Sequence, residues 1–177
     1  SFATLELTKT IEKSIDRFKV LVTGKDKAGD FYRKNFASMF QYCSNRIPEI
    51  TDAFYKIDDA MKAGFGWENG PFEIWDAIGV EKGIELMKAE GYQPASWVTD
   101  MLASGNTSFY SIKDGATHFY SITNKKVEKI PGQDAFIILN NIRESKKIWN
   151  NSDAIITDLG DGIINLEFTS KMNSIGA

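Results

Sequence analysis

Ile57-Asp58-Asp59-Ala60-Met61-Lys62-Ala63-Gly64-Phe65-Gly66-Trp67-Glu68-Asn69-Gly70-Pro71-Phe72-Glu73-Ile74-Trp75-Asp76-Ala77-Ile78-Gly79 is the most informative run in the chain. It begins inside a helix whose apolar members Phe54, Ile57, Ala60 and Met61 recur at steps of three and four. Thr51 or Asp52 is the expected cap, and Gly64 falls just beyond the expected end. The run closes as a second, short helix. Pro71 suits its first position, where the missing N–H would have no intrahelical partner, and Gly79 ends it after Phe72, Ile74, Trp75 and Ile78. The glycines of the intervening loop permit sharp turns and are expected to let Trp67 and Phe72 pack tightly between helices.

The pattern extends in both directions as helix. Tyr32, Phe36, Met39, Phe40, Cys43 and Ile47 form the stripe of a long central helix that ends near Pro48. Before it, Leu7, Ile11, Ile15, Phe18 and Val22 share one helical face, which predicts a single helix stopped by Gly24. After it, Val80, Ile84 and Met87 precede Gly91, and Trp97, Val98, Met101 and Leu102 lie between Pro94 and Gly105. Residues 1–105 therefore read as all-helical. Strand formers then flank Asp114-Gly115, a dipeptide favoured in two-residue hairpin turns, over 108–113 and 116–123. Residues 128–151, with Pro131, Gly132, an ambiguous apolar patch at 136–139 and charges from Arg143 to Lys147, read as a linker with some local structure. A second hairpin is expected from 154–157 and 163–168 around Asp158-Leu159-Gly160-Asp161-Gly162. A two-stranded hairpin is marginal by itself, so this one should dock on the helices, pair with another copy, or belong to a larger sheet.

Composition bounds the function. The chain has 177 residues, 42% apolar and 12% aromatic, enough for one packed domain with an appendage. Twenty-one Lys and Arg against 24 Asp and Glu give a net charge of −3, which supplies no overall field for a phosphate polymer or an anionic membrane. Nucleic acid and membrane are not expected partners. One cysteine, Cys43, forms no internal disulfide and suits a cytoplasmic address. The start at Ser1 and the end directly after a strand-like segment read as a piece cut from a longer polypeptide.

The run 57–79 closely resembles the C-terminal helical domain of 3-hydroxyacyl-CoA dehydrogenases, and a weaker likeness extends over 27–105. The resemblance implies a mainly α, 6-phosphogluconate-dehydrogenase-C-terminal-like fold with a C-terminal β-hairpin extension. The tail Asp158-Leu159-Gly160-Asp161-Gly162-Ile163-Ile164-Asn165-Leu166-Glu167-Phe168-Thr169-Ser170-Lys171-Met172-Asn173-Ser174-Ile175-Gly176 resembles the opening of an enoyl-CoA hydratase (crotonase) domain. Together they imply a fused bifunctional β-oxidation protein. Residues 1–105 would be its second helical domain, 106–153 a hairpin and linker, and 154–177 the first hydratase strands. The partners implied are a Rossmann domain and a first helical domain on the same chain, an acyl-CoA substrate and a homodimer mate. NAD is the implied cofactor of the parent, with none held by this fragment.

The chemistry such a parent needs is largely missing here. Oxidation of a 3-hydroxyacyl-CoA requires a base for the hydroxyl proton and a nicotinamide held on a Rossmann domain. The family's base is a histidine oriented by a glutamate, both in that domain. The single histidine, His118, lies in a predicted hairpin away from the family pattern and reads as a surface or strand-pairing residue. The loop 64–70 has the spacing G-x-G-x-x-x-G between helices, which is not the dinucleotide fingerprint that follows a strand. Asp58, Asp59, Glu68, Glu73 and Asp76 could supply an acid and a base, but solvated helix faces and caps produce such clusters routinely.

The family's substrate-contacting asparagine, from a G-F-x-x-N-R pattern, corresponds to Arg33 or Lys34. The nearby Asn35 is turned ~100° around the helix axis. This favours a degenerate helical copy whose work is packing, with no catalytic residue. On the hydratase side Glu167 matches neither catalytic glutamate of that family. Ser170, Lys171 and Met172 match the region that approaches the CoA moiety, and are the substrate-binding residues expected in a complete enzyme. Two further readings stay open: a free-standing helical module that oligomerises through Phe65, Trp67 and Phe72, and an autonomous acyl-CoA-binding domain.

Overall fold

The computed structural model describes residues 2–170, and they divide into two compact units. The first comprises the chain up to Ser111 with Phe119–Glu128, and the second comprises Ile112–His118 with the residues from Lys129 on. In the first unit the helices are α1 (Ala3–Thr8), α2 (Ser14–Thr23), α3 (Lys27–Asn45), α4 (Tyr55–Phe65), α5 (Pro71–Ile78), α6 (Val80–Ala89) and α7 (Ser96–Ala103). Two sheets follow, β1 (Tyr110–Lys113), β2 (Ala116–Ser121) and β3 (Lys126–Lys129), then β4 (Lys147–Asn150), β5 (Ala154–Gly160) and β6 (Ile163–Phe168). A 3-10 turn, Gln133–Ala135, and a short helix, α8 (Leu139–Ile142), lie between them.

The α1–α2 face that the sequence predicts as one helix is two. The chain leaves helical form after Thr8, whose Oγ1 donates back to the Leu5 carbonyl. Arg17 stabilises the break from below: Nε donates to Ile11 O at 2.7 Å and Nη2 to Glu12 O at 3.1 Å, satisfying carbonyls that a continuous helix would have paired. Gly24 ends α2 as expected. Asp26 then caps α3, accepting from Gly29 N, and also accepts from Thr4 N and Thr4 Oγ1, tying α1 to the start of α3. These donors hold the Asp26 carboxyl down at about 2.

Two ends within the decisive run differ from the sequence reading. Helix α4 continues past Gly64 to Phe65 and is closed by Gly66 at φ +67°, a left-handed conformation open to glycine at little cost. Its first residue follows Phe54, and Thr51 instead turns back on Ala53. Helix α5 starts at Pro71 and stops at Gly79, as read. Phe72 is fully buried, but Trp67 is 39% exposed and Phe65 76% exposed. The loop therefore packs one of its two expected aromatics, and Phe72 drops out of any exposed docking patch.

The core of the first unit is aromatic. Trp75 stacks on Phe40 with centroids 4.7 Å apart, and Phe109 meets Trp75 at 5.0 Å, Phe72 at 5.2 Å and Phe54 at 5.4 Å. Such offset and edge contacts add to the ~1.5–3 kcal/mol that burying each large apolar side chain contributes. Two indoles of this core are satisfied: Trp75 Nε1 donates to Val80 O and Trp97 Nε1 to Ser44 O, both at 3.0 Å. Helix α6 reaches Trp75 through Gly83, where an added Cβ would lie 2.1 Å from the indole nitrogen.

The sheets are larger than the expected hairpins. Asp114-Gly115 makes the two-residue turn the sequence suggests, with φ +52° and +75°. Residues 126–129, read partly as linker, form a third strand beside β2. In the second unit the bend is confined to Asp161-Gly162, and 158–160 remain in β5, with a register shift at Asp158/Gly160. Lys147–Asn150 adds a third strand there too. Helical content with two small three-stranded sheets is thus the architecture, more sheet than a mainly α fold with one hairpin. The hidden strands are four residues each, too short for alternation to be legible.

Candidate functional site

A groove of about 280 Å³ runs between α2, α3 and the loop before α5. Phe18, Phe36 and Ile74 supply its apolar surface, and Ser14, Asn35, Glu68 and Asn69 its polar groups. Ser14 Oγ donates to Asn69 Oδ1 at 2.9 Å, which fastens the glycine loop to α2. The sequence reading set Asn35 aside, yet it lines this groove together with Trp67 and Glu68 of the loop. Arg33 and Lys34, of which one or the other is expected at the family's asparagine position, are engaged elsewhere. Arg33 donates from Nη1 to the carbonyls of Val22, at 3.2 Å, and Gly24, closing the end of α2. Lys34 pairs with Asp30 at 2.9 Å. The groove is lined by one carboxylate, two amides, the hydroxyls of Ser14 and Tyr32 and the Trp67 indole, with no imidazole or thiol among the described residues that line it.

A larger hollow, about 660 Å³, lies between α3 and α4. Tyr42 and Ile50 on its rim are 61% and 64% exposed, beside Pro48, Ile57 and Met61. Arg46 lies 5.8 Å over the Tyr42 ring and pairs with Glu49 at 2.7 Å. Burial, aided by the Asp58 charge, pushes the Cys43 thiol up to about 11, so it is protonated at neutral pH and is a poor nucleophile.

The acidic cluster separates into distinct roles. Asp58 of α4 has no exposed surface, and accepts from Phe72 N at 2.9 Å, Glu73 N at 3.0 Å and Tyr110 Oη at 2.8 Å. Those two amides are the donors an N-cap side chain would satisfy, and the residue at the cap of α5, Gly70, has none to offer. Asp58 therefore caps α5 from another helix. The approach is so close that a Cβ on Gly70 would fall 2.3 Å from the Asp58 Cβ. Glu73 accepts from Gly70 N at 2.7 Å and pairs with Lys62 at 2.7 Å. Asp76 accepts from Phe109 N at 2.7 Å and Tyr110 N at 2.8 Å. Burial pushes both Asp58 and Asp76 up to about 7, against the pull of these hydrogen bonds.

The cluster reads in the sequence as solvated helix faces and caps; capping holds, but the solvated face does not, since Asp58 is fully buried and Asp76 half-buried. The signal available in the sequence was Gly70-Pro71, a helix start with no side-chain cap. Asp59 and Glu68 remain exposed.

Among the other expected residues, His118 lies on β2 with Nδ1 3.2 Å from its neighbour's carbonyl, Ala116 O. Glu167 of β6 accepts from Arg143 at both oxygens, at 3.0 and 2.5 Å, an ion pair internal to the second unit. Ser170 is half-buried just past β6, while Lys171 and Met172 lie outside the described residues. Among the described residues no His, Cys, Asp and Glu group suits a metal ion, and no helix is long and apolar enough to cross a membrane.

A helical unit with this loop and these remote caps can be set beside known proteins. Residues 36–113 match the C-terminal domain family of 3-hydroxyacyl-CoA dehydrogenase. Over 173 residues, 97% of the chain, the sequence is 38% identical to a probable 3-hydroxyacyl-CoA dehydrogenase of Bacillus subtilis (strain 168), of which it covers 22%. It is also 21% and 24% identical, over 93% of its length, to putative fatty acid oxidation complex trifunctional enzymes of Rickettsia felis and Rickettsia prowazekii. The chain spans about a fifth of the length of these relatives, covering 22% and 20% of them. No solved structure matches it.

Proposed function

We propose that this chain is part of a fused, cytoplasmic fatty-acid β-oxidation protein, and that its helical unit is a packing domain that does no chemistry of its own. The carrying observation is the similarity to a 3-hydroxyacyl-CoA dehydrogenase over nearly the whole chain but only 22% of that relative. Two structural facts support the packing role. Arg33 and Lys34, one or the other of which would stand at the family's asparagine position, are engaged with α2 and Asp30, and no imidazole is among the described residues lining the 280 Å³ groove. In this reading NAD sits on a Rossmann domain elsewhere in the polypeptide, and another helical domain covers the α3–α4 hollow with its exposed Tyr42 and Ile50.

The second unit supports the other half of the reading, an enoyl-CoA hydratase-like domain that begins at β5 and β6. One face of its sheet carries Trp149, Ile156, Leu166, Ile164 and Phe168, with Leu166 53% and Ile164 61% exposed. The two edges differ. β4 is four residues long, carries Lys147 and has an irregular register, the usual protections of a true edge. The six residues of β6 include no lysine or proline, so this edge suits a further strand of a larger sheet. Ser170, Lys171 and Met172 would approach acyl-CoA once that domain is complete.

Without its covering domain the hollow should draw two copies together. Sedimentation equilibrium of the 177-residue chain should give a reversible dimer that the double change Tyr42→Glu, Ile50→Glu returns to monomer. A wild-type chain that stays monomeric at high concentration would remove the packing role.

A further inference from the structure

We propose that Asp58 and Asp76 form a proton-linked clasp that holds the entry to the first sheet, Phe109-Tyr110, on the helical bundle, closed while the pair retains a proton and loosened when both are ionised. The geometry converges on two consecutive residues. Asp76 accepts both backbone amides, and Asp58 accepts the Tyr110 hydroxyl while capping α5. Phe109, held between them, is 1% exposed and closes the aromatic core against Phe54, Phe72, Trp75 and Trp97.

What faces the pair is acidic or neutral. Glu73 of α5 and Asp59 of α4 add negative charge, the Cys43 thiol of α3 and the Tyr110 phenol are neutral, and Lys62 is engaged by Glu73 and Asp59. Burial and the neighbouring carboxylates push the Tyr110 phenol upward, so it stays a donor. Among the described residues neither aspartate has a lysine or arginine as hydrogen-bond or ion-pair partner. A fully buried and a half-buried carboxylate without a counter-cation cannot both ionise at small cost. The direction follows from linkage. With folded values near 7 against an ordinary 3.8, the folded state binds more protons than the unfolded one between these limits. Stability from the pair is therefore full below about 4 and is lost as pH rises to about 7.

Amide hydrogen exchange on the full 177-residue chain reads the clasp locally. After correction for intrinsic rates, protection of the Phe109 and Tyr110 amides should fall as pH rises from about 4 to about 7, by up to about tenfold per pH unit, and level off above, while α3 amides around Phe40 hold. Asp76→Asn, which keeps an acceptor oxygen but cannot ionise, should flatten that dependence. Protection independent of pH in the wild-type chain, or an unaltered profile in Asp76→Asn, would overturn the proposal. Should that variant not fold, carboxyl titration by carbon NMR decides on the wild-type chain: a near-neutral midpoint in either aspartate supports the clasp, and ordinary acidic midpoints in both refute it.

Discussion

Asp58→Ala is expected to cost about 3–5 kcal/mol, enough to unfold much of the helical unit at ambient temperature. The magnitude comes from what the change strands. Phe72 N, Glu73 N and the Tyr110 hydroxyl all lose their acceptor, in a site where Asp58 itself has no exposed surface. No other side chain can substitute as cap, because Gly70 has none and a Cβ there would overlap Asp58. Urea unfolding followed by far-UV circular dichroism measures this. A midpoint within experimental error of wild type would mean that water satisfies those donors and that the remote cap is incidental. Asp59→Ala is the matched control, since that carboxylate is exposed and its contact with Lys62 is 3.4 Å, and it should change little.

Trp75→Ala is the second large effect, at about 3–5 kcal/mol. The indole is fully buried between Phe40 and Phe109, donates to Val80 O and rests against Gly83. Truncation would leave a cavity at the meeting point of α3, α5 and α6 and remove the indole's hydrogen bond to Val80 O. Thermal unfolding should show a large drop in midpoint, whereas Trp67→Ala in the same loop region should be near neutral for stability because that ring is 39% exposed. Equal losses at the two tryptophans would contradict the packing described for the glycine loop.

The two ends of the pH scale act on different ties. The carboxyl of Asp26, held at about 2 by Thr4 and Gly29, keeps α1 fastened to α3 until pH falls from about 4 toward 2. Asp58 and Asp76 work in the opposite sense and loosen as pH rises toward neutrality. The helical unit is thus weakened at its first helix below about pH 4 and at the Phe109-Tyr110 segment as pH climbs from about 4 to about 7.

Much of the helical unit could be read from the chain because its apolar residues repeat at helical spacing and its stops are glycine and proline. Gly24, Pro71, Gly79 and Gly105 fall where helices begin or end, and the resemblance rested on the same run, 57–79. The failures have local causes. The break after Thr8 depends on Arg17 reaching back to two carbonyls, which no periodicity records. The strands Lys126–Lys129 and Lys147–Asn150 are only four residues each, too short for a period of two to stand out from the surrounding polar residues. Of the candidate site, the acidic cluster was visible as a composition but not as an interior, because burial of Asp58 and Asp76 is fixed by Phe109 and Tyr110, more than thirty residues away in sequence from Asp76. Asn35 was set aside by counting along one helix; the loop that meets it at the groove belongs to another segment.

A helical unit that is only a partner to catalytic machinery located elsewhere should turn over no substrate by itself. The direct measurement is turnover of 3-hydroxybutyryl-CoA with NAD by the purified 177-residue chain, followed by NADH absorbance and repeated on the Trp75→Ala protein as a contamination control. The expected result is no NADH above the control at any substrate concentration. Sustained NADH formation that is lost with Trp75→Ala would contradict it.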